Sequence, residues 1–203
     1  MLKKIGKRAK GLAAAVLTMV MLVLSETTGY AEQNIGPGAA LSASNQAATN
    51  GVTIYVSKRT KTLRLKQNGI LIAEYPVSLG AASAEGDKKV EGDMRTPSGE
   101  FYVCTRNDKS VAYLALGLSY PSVSDAERGF ADGIITQEQR DEIIAANEAG
   151  IQPPWDTPLG GAIEIHGCRT PGGTTHGCVA VDNEAMNVLW CYGSLGVPVT
   201  IGP

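Results

Sequence analysis

Only two histidines occur in the sequence, and both fall in one thirteen-residue segment with two of its four cysteines. The segment reads His166-Gly167-Cys168-Arg169-Thr170-Pro171-Gly172-Gly173-Thr174-Thr175-His176-Gly177-Cys178. Imidazole is the side chain whose ordinary pKa lets it exchange protons near neutrality. A thiol is mostly protonated at pH 7, and an adjacent imidazole that removes the proton converts it into a strong nucleophile. Cys178 is therefore a candidate nucleophile, with a histidine of the same segment as its base. Gly172 and Gly173 let the chain fold back, so that the strand carrying His166 lies beside Cys178. Gly177 has no side chain to cover its N–H, and amides at this point are candidate donors to an oxyanion.

Two other readings fit the same residues. His166, Cys168, His176 and Cys178 are a possible ligand set for structural zinc, since residues two apart on a strand share a face. Against this, zinc ligands in such sites are usually spaced more widely, which lets the loop wrap the metal. The third reading is structural: buried histidines and a disulfide such as Cys168–Cys178. The other thiols are Cys104 and Cys191, and if Cys178 stays free the remaining three permit one bridge. On residue types and spacing alone the three readings remain open.

The elements that must position this segment follow from the rest of the chain. Lys3, Lys4, Lys7, Arg8 and Lys10 precede an uncharged apolar stretch from Gly11 to Leu24, and Gly29 and Ala31 offer a small-residue cleavage site. This order marks residues 1–31 as a secretory signal peptide, the apolar stretch being shorter than the ~20 residues of a membrane-spanning helix. An uncleaved leader would be the only contact with a membrane. Without the leader, 13 Lys/Arg face 19 Asp/Glu, the wrong balance for a nucleic-acid partner. Residues 32–50 are rich in Ala, Ser, Asn, Gln and Gly with no hydrophobic period, and read as a flexible linker. The folded domain is assigned to residues 51–203.

Its period is two. Val52, Ile54 and Val56 alternate with polar neighbours, as do Leu63 and Leu65, and Asn68-Gly69 predicts a hairpin into the apolar run from Ile70 to Ala73. Further strands are predicted at Phe101–Thr105, Ile163–Ile165, Cys178–Val181 and Val197–Ile201, giving a mainly β domain. A helical insertion is predicted at 124–149, with capping boxes at Ser124–Glu127 and Thr136–Gln139. Another helix is predicted from Asn183 to Tyr192, with Met186, Leu189 and Trp190 as a core-facing stripe.

The segment Ile165-His166-Gly167, a glycine-bearing loop and Thr175-His176-Gly177-Cys178-Val179 resemble the signature of L,D-transpeptidase catalytic domains of the YkuD type. Tyr75 to Gly80, Glu91 to Phe101, Leu118 to Pro121 and Trp155 to Gly161 resemble further family segments in the family's order. The resemblance implies a YkuD-type β-sandwich of mixed sheets with the short helical insertion. It also implies Cys178 as nucleophile, His166 as general base, and His176 and Gly177 as shapers of an oxyanion site with the Cys178 amide. Gly167 stands where the family often has serine and keeps the backbone carbonyl that orients the histidine. Arg169 is a candidate for a substrate carboxylate, though a loop arginine facing solvent is the simpler reading. Ala180 replaces the Asn or Arg often found two residues after the cysteine.

The activity so implied is extracytoplasmic, in the periplasm, the cell wall or the medium, and needs no metal or organic cofactor. A thioester on Cys178, drawn from a peptidoglycan stem peptide, passes to an amine to form a 3→3 cross-link, with carbapenem β-lactams as inhibitors. Similar sequences also act as hydrolases, so an L,D-carboxypeptidase or amidase is the alternative enzyme. A non-catalytic zinc-binding or wall-binding module is the alternative of another class.

Overall fold

The computed structural model describes residues 49–203, so the leader at 1–31 and nearly all of the linker at 32–50 lie outside the described residues. Alternation builds the first strands. β1 (Val52–Ser57) turns Val52, Ile54 and Val56 inward, and β2 (Thr62–Gln67) does the same with Leu63 and Leu65. β3 (Ile70–Pro76) returns antiparallel to β2 across Asn68-Gly69. Both turn residues have positive φ, 50° and 79°, as a type I′ turn requires and as Asn-Gly supplies at little steric cost.

β4 (Gly99–Ser110), β5 (Tyr113–Leu118), β6 (Glu164–His166), β7 (Val179–Ala180) and β8 (Pro198–Gly202) complete an eight-stranded sheet in the order β3-β2-β1-β8-β4-β5-β6-β7. β1 with β8 and β6 with β7 pair parallel, and the remaining neighbours pair antiparallel. β4 joins the two halves. Its first residues pair with β8 and its later ones with β5, and the register shifts between Val103 and Thr105. Such a bulge bends the strand and increases its twist. The sheet curls so that both halves contribute to one core, in which Ile54, Leu65, Phe101, Leu116, Ile165 and Val179 are buried together. The domain is mainly β and mixed, as the sequence implies, and the layers of the sandwich are two halves of a single sheet.

β5 has no counterpart in the sequence reading. Ala115 to Leu118 are all buried, and a strand covered on both faces shows no polar alternation to mark it. The insertion consists of two helices, α1 (Val123–Ala131) and α2 (Gln137–Glu148). The Thr136–Gln139 capping box is present, each residue bonding the other's backbone N–H at 3.2 and 3.0 Å. The first box is corrected from Ser124–Glu127 to Ser122–Asp125. Asp125 sits three residues into the helix and reaches the Ser122 N–H at 3.1 Å, so a carboxylate shorter than Glu closes the same reciprocal pair.

The two helices have a small core of their own, Ala126, Ile135, Ile143 and Leu159. A Cβ on Gly129 would lie 2.7 Å from Leu159, so α1 packs closely on the segment that leads into β6. The Tyr120 hydroxyl donates to the Leu159 carbonyl at 3.0 Å and fixes that segment from the sheet side. α3 (Asn183–Tyr192) lies where the sequence puts it, with Met186 and Leu189 fully buried. Among the described residues no helix is long and apolar enough to cross a membrane.

Leu65 is fully buried on β2 at the centre of the shared core. Leu65→Ala should destabilise the domain by about 2–5 kcal/mol. Urea unfolding should show a lower midpoint with an unchanged slope.

Candidate active site

Alternation along β6 sends Ile165 into the core and leaves Glu164 and His166 on the opposite face. β7 runs parallel to it, with Ile165 opposite Val179 and His166 opposite Ala180. Cys178 immediately precedes Val179, so it comes level with Glu164 on the face that carries His166. Its sulfur is half-buried. The thiol donates to the Ala162 carbonyl at 3.5 Å. On the other flank of β6, β5 places the small residues Ala115 opposite His166 and Gly117 opposite Glu164.

His166 is oriented through its own chain. Its Nδ1 lies 2.7 Å from the Gly167 carbonyl oxygen, and since a carbonyl only accepts, Nδ1 carries the proton. Nε2 is then the basic nitrogen. Gly167 is closely surrounded. A Cβ there would stand 2.6 Å from Asn183 Oδ1, 3.0 Å from the Ala112 carbonyl and 3.0 Å from Tyr113 Cβ. The space a serine side chain would need is occupied, and glycine retains the carbonyl that holds the imidazole.

The loop between the two strands is tied at several points. Gly172, with φ 74°, turns the chain, and Gly173 N–H closes the turn on the Thr170 carbonyl at 2.9 Å. Thr175 organises the far end, its hydroxyl donating to the Cys178 carbonyl at 2.7 Å and accepting from Gly177 N–H at 3.1 Å. That bond corrects the expectation of an uncovered Gly177 amide, because the N–H points into the turn. Gly177 serves by its shape, with φ 143° and a Cβ position 3.0 Å from the Arg95 carbonyl. His176 is exposed, two residues before Cys178. Arg169 is largely buried and paired with a carboxylate of this chain. Its Nη1 lies 3.2 Å from both carboxylate oxygens of Asp182, which clamps the loop to the start of α3.

The zinc reading needs His166, Cys168, His176 and Cys178 to converge. Among the described residues no group of three or more His, Cys, Asp or Glu is placed to share a metal ion. Cys168 points outward at φ 57°, and the four sulfurs are unbonded.

The model of the YkuD L,D-transpeptidase catalytic domain matches residues 51–201. The chain belongs to that family. Two proteins of solved structure share its fold. Bd1075 of Bdellovibrio bacteriovorus is 22% identical with a TM-score of 0.50, the match covering 76% of this chain and 49% of that one. The helical cell shape determining protein Pgp2 of Campylobacter jejuni (a K307A mutant) is 22% identical with a TM-score of 0.51, covering 75% and 47%. The match spans about half the length of each of these two proteins. No curated protein matches its sequence.

Three residues of this L,D-transpeptidase domain that face or support the site carry no signal in the sequence. Glu164 alternates as a solvent-facing strand residue would, and only the register of β6 with β7 brings it beside Cys178. Lys88 resembles any loop lysine but is buried, donating to the Val90 carbonyl at 2.9 Å and to Asp93 at 3.0 Å. Burial alone would push the Asp93 carboxyl up. The hydrogen bonds from Lys89, Lys88, Arg95 and Val90 outweigh it and hold the group below its ordinary range. Trp155 covers β5 at Gly117, where a Cβ would come within 2.8 Å of the indole.

These groups set the state of the sulfur. Burial pushes the Cys178 thiol above its ordinary value; the Glu164 N–H counters this, the Glu164 carboxylate adds to it, and the Lys88 ammonium opposes it. The resting thiol is therefore protonated at neutral pH. Removing the carboxylate in Glu164→Gln should shift the pH profile of Cys178 alkylation by iodoacetamide towards lower pH. Lys88→Met should shift it towards higher pH. Profiles that do not separate in these opposite directions would contradict the assignment.

Proposed function

We propose that this domain is the catalytic part of an exported peptidoglycan L,D-transpeptidase that works through a thioester on Cys178. The observation that carries the reading is the pairing of β6 with β7. It sets a half-buried thiol on the same face as an imidazole whose Nδ1 is held by the Gly167 carbonyl. An imidazole so fixed presents Nε2 as base, and a thiol whose pKa lies above its ordinary value needs one.

On this reading His166 takes the Cys178 proton, and the thiolate attacks the carbonyl of the dibasic residue in a tetrapeptide stem. The C–S bond forms, and the C–N bond to D-alanine breaks as His166 returns the proton to the departing amine. An amine of a second stem then takes the acyl group, which gives a 3→3 cross-link. The Cys178 amide faces the developing oxyanion. His176 and the bare Cα of Gly177 shape the approach to it. Arg169 acts indirectly, by holding the loop on Asp182. The work is done outside the cytoplasm, on stem peptides of the wall.

A carbapenem offers Cys178 a reactive lactam carbonyl in place of the stem peptide. Intact-mass measurement should show one carbapenem bound to the wild-type chain and none to Cys178→Ala. His166→Ala should slow that acylation by about 10²–10⁴-fold. Incubation with disaccharide tetrapeptide should yield cross-linked dimers. Trimmed monomers alone would identify an L,D-carboxypeptidase, and activity surviving in Cys178→Ala would refute the thioester.

A further inference from the structure

Glu164 takes part in none of the steps above, yet its carboxylate interacts electrostatically with both Cys178 and His166. No hydrogen bond engages this half-buried side chain among the described residues. As a neighbour of a nascent thiolate it is unfavourable, because it opposes ionisation of the sulfur. Its charge helps only after acylation, when the sulfur is neutral and the arriving group is an amine that is cationic in water.

The surroundings of Glu164 suit such a group. On one side is Cys178 and on the other Gly117, covered by the Trp155 indole. A carboxylate beside an aromatic ring is the composition that holds alkylammonium ions. Trp155 also lines a shallow surface depression with Glu142, Gln152 and Asp156 that contains no Lys or Arg. Cys104, which also interacts with Glu164, is pushed up to about 12 by burial and stays neutral.

We propose that Glu164 is the acceptor subsite: its carboxylate holds the protonated alkylamine beside the Cys178 thioester and takes the first of its two surplus protons. The inference rests on the thioester reading above. In the step itself the ammonium gives one proton to Glu164, and the free amine attacks the thioester carbonyl. The C–N bond forms and the C–S bond breaks, its electron pair returning to sulfur. The second proton passes from nitrogen through His166 Nε2 to that sulfur, and Glu164 releases the first to solvent. One amide, one thiol and one solvent proton result. Burial raises the Glu164 carboxyl pKa, opposed by His166, which makes it a better proton acceptor than an exposed carboxylate.

The test sets two nucleophiles against one acyl-enzyme. Nα-acetyl-lysine arrives as a cation, whereas hydroxylamine is uncharged at neutral pH and has one proton fewer to lose. Both are supplied to protein acylated by disaccharide tetrapeptide, and the amide, hydroxamate and hydrolysis products are separated by mass. Glu164→Gln should cut the lysine amide on the order of tenfold or more, the scale of one charged hydrogen bond. Hydroxamate and hydrolysis should be retained, and carbapenem acylation should run no slower than in the wild type, which serves as proof of folding. Glu164→Asp should recover part of the lysine product. In the wild type, added salt should depress the lysine amide and spare the hydroxamate, a comparison that needs no variant. An unchanged lysine amide in Glu164→Gln, or equal loss of both products, would overturn the subsite. A wild-type acyl-enzyme resolved by water alone would overturn it while leaving the thioester intact. A wild type that forms no acyl-enzyme would remove the thioester reading as well.

Discussion

The site depends on a parallel ladder of two residue pairs, between a strand of three residues and one of two. Nothing so short holds by itself, since a parallel pairing gains its stability from cover on both faces and from neighbours on both edges. β5 lies along one edge. On the other, Ser78 and Ala180 exchange both backbone hydrogen bonds at 2.9 Å. Val181 N–H bonds the His166 carbonyl at 2.8 Å and Arg169 N–H bonds that of Val181 at 3.1 Å, which extends the ladder past its end. Ile165 and Val179 bury the opposite face. The thiol and the imidazole thus take their positions from backbone pairing, and little is asked of their own side chains.

Much of this frame is legible in residue pattern because its determinants are local. Asn68-Gly69 sets a turn through its own φ angles, and the alternation of β1 and β2 and the stripe of α3 each report one buried face. Cys178 and His166 stand out by composition, two imidazoles and two thiols crowded into one loop. What escapes is whatever depends on the residue opposite. Gly177 looks like an open amide until Thr175 Oγ1 is seen on it, and the pairing of Arg169 with Asp182 shows only in the fold. β5 is hidden by burial on both faces. Glu164 and Lys88 are charged residues whose importance arises from tertiary placement, which no period in the sequence records.

On the proposed reading the electrostatics divide between the two halves of an acyl transfer. Burial and Glu164 keep the resting sulfur protonated, and Lys88, itself neutralised by Asp93, moderates the effect from a distance. A thiol in this state reacts slowly with oxidants, whose target is the thiolate. On the proposed mechanism the nucleophile appears when His166 removes the proton, in the presence of the electrophile it is meant to attack. Reactivity is thereby confined to the occupied site.

The crowding at Gly167 has a consequence for how this sequence can change over generations. Asn183 Oδ1, which a side chain at 167 would meet, is also the acceptor for the Cys168 N–H at 2.8 Å. A lone change from glycine to serine therefore collides with an atom that is holding the loop in place. The reverse order, shrinking Asn183 first, leaves that N–H without its partner. Both single steps disturb the same contact, so the residue tolerated at 167 depends on the one at 183 and the reverse.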